Sequence, residues 1–183
     1  MNKVFREEKK FLISISEFLE KSYRLGHVMR EDSHNGTHGY LIRSLYFDTL
    51  YDQDYFEKVA GVEVRRKIRL RIYDPDGDFA MLEMKQKQGA NQLKRSLRLS
   101  RVDAVCLTKG DYSPLLRYED PFAAECYGLM HGRCYRPKTI VQYNRKAFIA
   151  KENKIRVTFD SHLVSTESCF ELFSPRLVMN PVL

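Results

Sequence analysis

Residues 67 to 73 read KIRLRIY, with Lys67, Arg69, Arg71 and Tyr73 on one parity and Ile68, Leu70 and Ile72 on the other. Alternation of this kind predicts a β-strand with one aliphatic and one cationic face. AMLEMKQK repeats it, setting Met81, Glu83, Lys85 and Lys87 against Ala80, Leu82 and Met84. QLKRSLRL sets Lys94, Ser96 and Arg98 against Leu93, Leu97 and Leu99, with Arg95 out of place on the apolar parity. The turn DPDGD joins the first two segments and QGAN leads to the third, so a meander of three antiparallel strands is expected. Further on, KTIVQYNRKAFI, the turn AKENK and KIRVTFD predict another hairpin. There Arg156, Thr158 and Asp160 oppose Ile155, Val157 and Phe159, while Tyr143 and Arg145 share a face with Val141 and Ala147. VFREEKKFLI (4–13) and IRSLYFD (42–48) bring the expected strands to at least seven.

Helices are expected between the strands. Ser14 with Glu17 forms a capping box ahead of ISEFLEKSY, and Ser100 with Asp103 repeats the arrangement before RVDAVCLTK. Asp120-Pro121 opens a third helix that Gly132 closes, and residues 50–60 suggest a fourth, ended by Gly61. No repeat, low-complexity stretch or linker divides the 183 residues, so a single domain over 1–183 is expected.

Charge narrows the choice of partner. Lys and Arg number 31 against 24 Asp and Glu, a formal net charge of +7, which favours anions without separating nucleic acid, phosphorylated metabolites and acidic lipid. Cys106, Cys126, Cys134 and Cys169 lack C-x-x-C spacing and the N-terminus lacks the apolar run of a signal peptide. Free, mostly buried thiols in a reducing cytoplasm are expected. No apolar run approaches the ~18 residues that cross a bilayer.

Familiar chemical motifs are few. In DPDGD the glycine precedes the third Asp, and Lys85 stands where a calcium loop closes on Glu, so a hairpin turn is the better reading. His34 and His38 lie in the polar loop SHNGTHG, which reads as two surface histidines. Walker A, G-x-G-x-x-G, G-x-S-x-G and RNP patterns are all absent. What remains is a set of cations on the charged parities: Lys10, Lys67, Arg69, Arg71, Lys85, Lys87, Lys94, Arg98, Arg145 and Arg156. Two cations ~7 Å apart on one strand face repel by about 0.6 kcal/mol in water and roughly 2.4 kcal/mol at an effective dielectric of 20. A solvated face tolerates that. A face curled into a bore needs counter-charge from a polyanion and from carboxylates such as Glu83.

The segments R-x-E-x-K-F (Arg6, Glu8, Lys10, Phe11), RSLYFDT, KIRLRIY, LEMKQK, LKRS, VQYNRKAF and RVTFDSHL resemble, in order, those of the VTC (vacuolar transporter chaperone) domain. That domain is the polyphosphate polymerase module of the triphosphate tunnel metalloenzyme, or CYTH-like, superfamily. The resemblance implies an α+β fold, an antiparallel β-barrel of eight strands (the triphosphate tunnel fold) with short helices covering the outside. It implies phosphate contacts from Lys10, Arg69, Arg71, Lys85, Lys94, Tyr143, Arg145 and Arg156, of which Lys10, Arg69, Arg71, Lys85 and Arg145 would also serve catalysis. The activity it implies is transfer of the γ-phosphoryl group of ATP to a polyphosphate chain with Mn²⁺ or Mg²⁺, in the cytoplasm, with ATP, inorganic triphosphate and polyphosphate as ligands and no specific nucleic acid. The family's metal-binding glutamate would lie on a strand beyond NPVL, so a barrel lacking its final strand or strands is expected, with Glu8 and Glu83 as the candidate metal ligands in this chain. A triphosphate hydrolase of the same superfamily, and a non-catalytic polyphosphate- or RNA-binding module, are the alternatives.

Overall fold

The computed structural model describes residues 9–89, 91–152 and 155–182. In chain order the elements are α1 (Ile15–Val28), β1 (Arg30–Glu31), β2 (Tyr40–Asp48), α2 (Gln53–Val59), β3 (Val64–Ile72), β4 (Phe79–Gln88) and β5 (Asn91–Ser100). After these come α3 (Arg101–Thr108), a 3₁₀ turn (Ser113–Arg117), α4 (Pro121–Gly132), β6 (Arg136–Ile149), β7 (Arg156–Thr166) and β8 (Asn180–Pro181). The helix starts fall where the caps predict them. Ser14 and Glu17 form a reciprocal capping box, Ser100 accepts from the amide of Asp103, and Asp120 accepts from that of Phe122 with Pro121 in the first turn.

All strands join one antiparallel sheet in the order β5-β4-β3-β2-β6-β7-β8, with β1 paired to the end of β6. The order does not return on itself, so among the described residues the sheet is open, in keeping with the expected lack of a closing strand. β8 is two residues long and reaches only Val164 and Ser165 of β7, and its Pro181 has no amide to extend the ladder. The strand expected over 4–13 falls partly outside the described residues, and Lys9–Ser14 carry no regular structure. Neither parity of that segment is cleanly apolar, so neither offers a sheet a face to bury.

The aliphatic parities line up as the alternation requires. Leu45, Leu70, Leu82 and Leu97 stand in register across β2, β3, β4 and β5, and Ile140 of β6 joins Leu45 from the other side. This face packs against Ala104 and Leu107 of α3, Phe122, Ala123, Cys126 and Met130 of α4, and Leu172 and Phe173. At the β6–β7 end α1 takes over the cover, with Phe18 edge-on to Phe159 and Phe159 to Phe148. The helices therefore shield only the apolar side.

Arg43, Arg66 and Arg95 sit on the apolar parity, and Arg43 and Arg95 each find partners on a distant element. Arg43 is buried and donates to Gln142 at 2.7 Å and to the carbonyls of Leu172 and Ser174 at 2.9 and 2.6 Å, pinning the segment before β8 against the sheet. Arg95 forks onto Glu125 of α4 at 2.5 and 2.6 Å and lies over the Phe122 ring. The cysteines are free as expected, but of the four only Cys126 is buried; Cys134 is exposed and Cys106 and Cys169 are half-buried. Burial pushes the Cys126 thiol up to about 12.

The FDT stretch at the end of β2 caps α2 from outside the helix. Asp48 accepts from the amides of Thr49, Asp54 and Tyr55, and the Thr49 hydroxyl accepts from that of Gln53. Asp54 itself is buried, takes the Tyr135 hydroxyl at 2.9 Å, and is raised by burial from 3.8 to about 6. The native chain thus keeps a proton that the unfolded chain releases between about pH 4 and 6. This group's contribution to stability falls as pH rises through that window, by on the order of 3 kcal/mol in all. Denaturant midpoints of Asp54→Asn and the parent should therefore converge at pH 4 relative to pH 7; a constant gap across the range would refute the assignment.

Candidate functional site

The opposite face of the sheet carries the charged parities, and its ladders can be read row by row. Lys67, Lys85 and Lys94 stand directly opposite one another on β3, β4 and β5. The next row is Ser96, Glu83, Arg69 and Tyr46, and the one after it Arg98, Met81, Arg71 and Ser44. Past β2 the face continues through Ile42 opposite Tyr143, Tyr40 opposite Arg145, and Arg145 opposite Asp160, ending at Arg156 opposite Ile149. Three lysines in one cross-strand row is an unfavourable arrangement for the bare protein.

Glu83 anchors the middle of this face. It is only 4% exposed, receives Arg69 through both Nε and Nη2 at 2.7 Å and Lys94 at 2.5 Å, and lies 3.7 Å from Arg71. Burial alone would raise its carboxyl, but Arg69, Lys94 and Arg71 together hold it below the usual carboxylate range. Arg69 also donates to the Tyr46 hydroxyl at 2.9 Å, and Arg71 leans on the Ser44 hydroxyl at 3.4 Å. Such an array, fixed before any ligand arrives, has already lost much of the side-chain freedom that binding would otherwise cost.

A second cluster lies toward the other end. Arg145 forks onto Asp160 with two 2.7 Å bonds, and its Nη2 reaches the Tyr143 hydroxyl at 3.3 Å. Burial works against the Arg145 charge, but Asp160 and Tyr143 outweigh it and hold the guanidinium more firmly protonated than usual. Burial raises the Tyr143 phenol, which keeps it a hydrogen-bond donor. Arg156 bonds Asp32 at 2.8 Å and the Tyr40 hydroxyl at 2.9 Å. An extra residue on β7 near His162, whose φ is +54°, shifts the register so that Asp160 and not Ser161 opposes Arg145.

All the described candidates fall on or beside this face. Arg69, Arg71, Lys85 and Lys94 occupy its β3–β5 half, and Tyr143, Arg145 and Arg156 its β6–β7 half. Lys10, ahead of α1, acts on Lys67 across space: burial first, then Lys58, Lys10, Lys85 and Arg65, hold the Lys67 ammonium below its ordinary value. Glu8 lies outside the described residues. Glu83, the other candidate metal ligand, already has its oxygens on cations. Among the described residues no three His, Cys, Asp or Glu side chains come together to hold an ion. The described side chains thus do not fit a resident Mn²⁺ or Mg²⁺.

Four residues of the array escaped the sequence reading: Tyr40, Tyr46, Asp32 and Asp160 as partners of Arg156, Arg69 and Arg145. Alternation in YLIRSLYFD, with Tyr40, Ser44, Tyr46 and Asp48 on one parity, was the available signal for the two tyrosines. Arg43 on the other parity blurs it. Asp32 sits in a loop, where no periodicity applies.

A single open antiparallel sheet, helix-covered on its apolar side and lined on the other by cations, phenols and a few carboxylates, defines the class of this α+β protein. The chain belongs to the VTC domain family, whose model matches residues 5–178, as its sequence motifs implied. Among solved structures, a candidate adenylate cyclase from Bacillus halodurans matches with a TM-score of 0.55 at 15% identity, over 85% of this chain and 70% of that one. At that identity the likeness concerns the fold. No curated protein sequence matches this one. Among the described residues, no helix is long and apolar enough to cross a membrane.

Proposed function

We propose that the cationic face binds a chain of phosphates, as the triphosphate of ATP, inorganic triphosphate or polyphosphate, and that the domain transfers the γ-phosphoryl group of ATP to a polyphosphate end. The observation that carries this reading is the convergence of Arg69, Arg71 and Lys94 on the buried Glu83, in a face where cations outnumber carboxylates. A guanidinium fork bonds two phosphate oxygens at once, and a lysine supplies a movable point charge. Cations spread over several rows suit a linear polyanion better than a single phosphate. In the transfer, the bond from the γ-phosphorus to the β,γ-bridging oxygen breaks, a terminal phosphate oxygen of the acceptor chain forms the new bond, and ADP leaves. Little covalent chemistry is asked of the protein beyond in-line positioning and charge neutralisation. Lys10, Arg69, Arg71, Lys85 and Arg145 would hold the reacting phosphates, with Tyr143 donating a hydrogen bond. Mn²⁺ or Mg²⁺ would on this reading come with the substrate and not be held by the described side chains.

Arg69 lies over the Tyr46 ring and Arg145 over that of Tyr143, at 5.7 and 5.2 Å from the centroids. Both phenols are also tied to those guanidiniums through their hydroxyls, which disfavours their use as a base-stacking platform for RNA. Incubation with radiolabelled ATP separates the enzymatic readings. A ladder of lengthening polyphosphate with equimolar ADP is expected; release of free phosphate alone would assign a hydrolase, and no turnover with saturable triphosphate binding would leave a binding module.

A further inference from the structure

We propose that α2 and its flanks form a docking surface for an anionic lipid bilayer, placing one end of the cationic face against the membrane. Tyr55 and Val59 lie four residues apart on α2 and Phe56 sits beside Tyr55, their rings 5.5 Å apart, so the helix turns apolar side chains outward, and Tyr51 adds another from just ahead of the left-handed cap residue Asp52. These side chains are 57–83% exposed, and Leu50, Val62 and Val64 extend the stripe at 41–58%. On its other side the helix is tied down, with Asp54 buried on Tyr135 and the first-turn amides held by Asp48 and Thr49. A stripe on an anchored helix is a rigid protrusion.

Charge selects the occupant. Lys58 lies in the last turn of α2 and Arg65 is the second residue of β3. Lys138, anchored on Asp52 at 2.8 Å, and Arg136, bonded to the Leu50 carbonyl, flank the other side. Within residues 50–67, Glu57 and Glu63 are the acidic side chains besides the buried Asp54 and the paired Asp52. A second copy of the chain would bring two like-charged rims together, in a molecule of net charge +7. An anionic bilayer meets both demands. Tyrosines and a phenylalanine settle among the headgroups, and basic side chains rest their stems on the apolar stripe while their charges reach lipid phosphate.

The test is co-sedimentation of the chain with vesicles of phosphatidylcholine alone and with one third phosphatidylserine, in the presence and absence of excess inorganic triphosphate. Binding to the anionic vesicles alone is expected, falling at higher salt, and persisting with triphosphate because α2 lies outside the phosphate array. Tyr55→Ser/Phe56→Ser should lower the vesicle affinity at least tenfold, and Lys58→Glu/Arg65→Glu should do the same with the apolar stripe intact. The first pair should leave the melting temperature and triphosphate binding unchanged. Vesicle binding unaffected by either pair, or displaced by triphosphate, would overturn the proposal, the latter assigning lipid phosphate to the cationic face. So would a concentration-dependent dimer or an acidic protein partner lost in Tyr55→Ser/Phe56→Ser, with vesicles ignored. Failure here leaves the proposed transferase untouched, because its readout is chain growth from ATP in solution.

Discussion

Arg71→Ala should weaken binding of inorganic triphosphate about a hundredfold. Arg71 is 7% exposed, faces the same space as Glu83 and Tyr143, and leans on Ser44, so its fork stands on the face proposed to hold the phosphate chain. Two lost charge-assisted hydrogen bonds amount to about 3 kcal/mol, which is roughly two decades in affinity. Arg69→Ala should cost a similar amount and also release Tyr46 and one side of Glu83. Arg71→Lys should recover part of the loss, because charge survives but the planar fork does not. Calorimetric titration of the three variants checks the order; parent affinity in both alanine variants would refute the role of this face.

The second large effect concerns Glu83. Its carboxylate is the shared counter-charge of Arg69, Lys94 and Arg71. Glu83→Gln leaves those cations facing one another in a partly buried place, and breaking a buried pair in this way costs roughly 3 kcal/mol or more. For a chain of this size that is a fall in melting temperature of about 10 °C. Saturating triphosphate should return much of the loss, since the ligand supplies the missing negative charge and binds only the folded chain. The parent's own acid dependence has a matching sign. Because the folded carboxyl of Glu83 lies below its unfolded value of 4.5, its contribution is present above that pH and lost as pH falls through the folded value. A melting temperature unchanged by the substitution would mean that the cations are not held together by Glu83.

Much of the architecture was legible because period-two alternation is a strong signal wherever one face is buried. KIRLRIY and AMLEMKQK predicted both their strands and the side on which Arg69, Arg71, Glu83 and Lys85 would stand, and Ser14, Ser100 and Asp120 marked three helix starts. What alternation could not reveal was partnership. Arg43 and Arg95 break the pattern because their partners, the Leu172 and Ser174 carbonyls and Glu125, lie far along the chain. The Arg145–Asp160 fork depends on one extra residue in β7, a register detail that local pattern does not encode. Which strands stand at the edges was not legible either, since alternation does not choose a strand's neighbours. The sheet ends at β5 on one side and at the two-residue β8 on the other.

The central claim is that cations from separate strands act on one ligand. It is tested most directly by following the Nε–H signals of all arginines by nuclear magnetic resonance during a titration with inorganic triphosphate. The account predicts that Arg69, Arg71, Arg145 and Arg156 shift together along a single saturating curve, while Arg43 and Arg95, committed to the apolar side, stay still. Shifts confined to outlying residues such as Arg24 and Arg133, with the four silent, would contradict it.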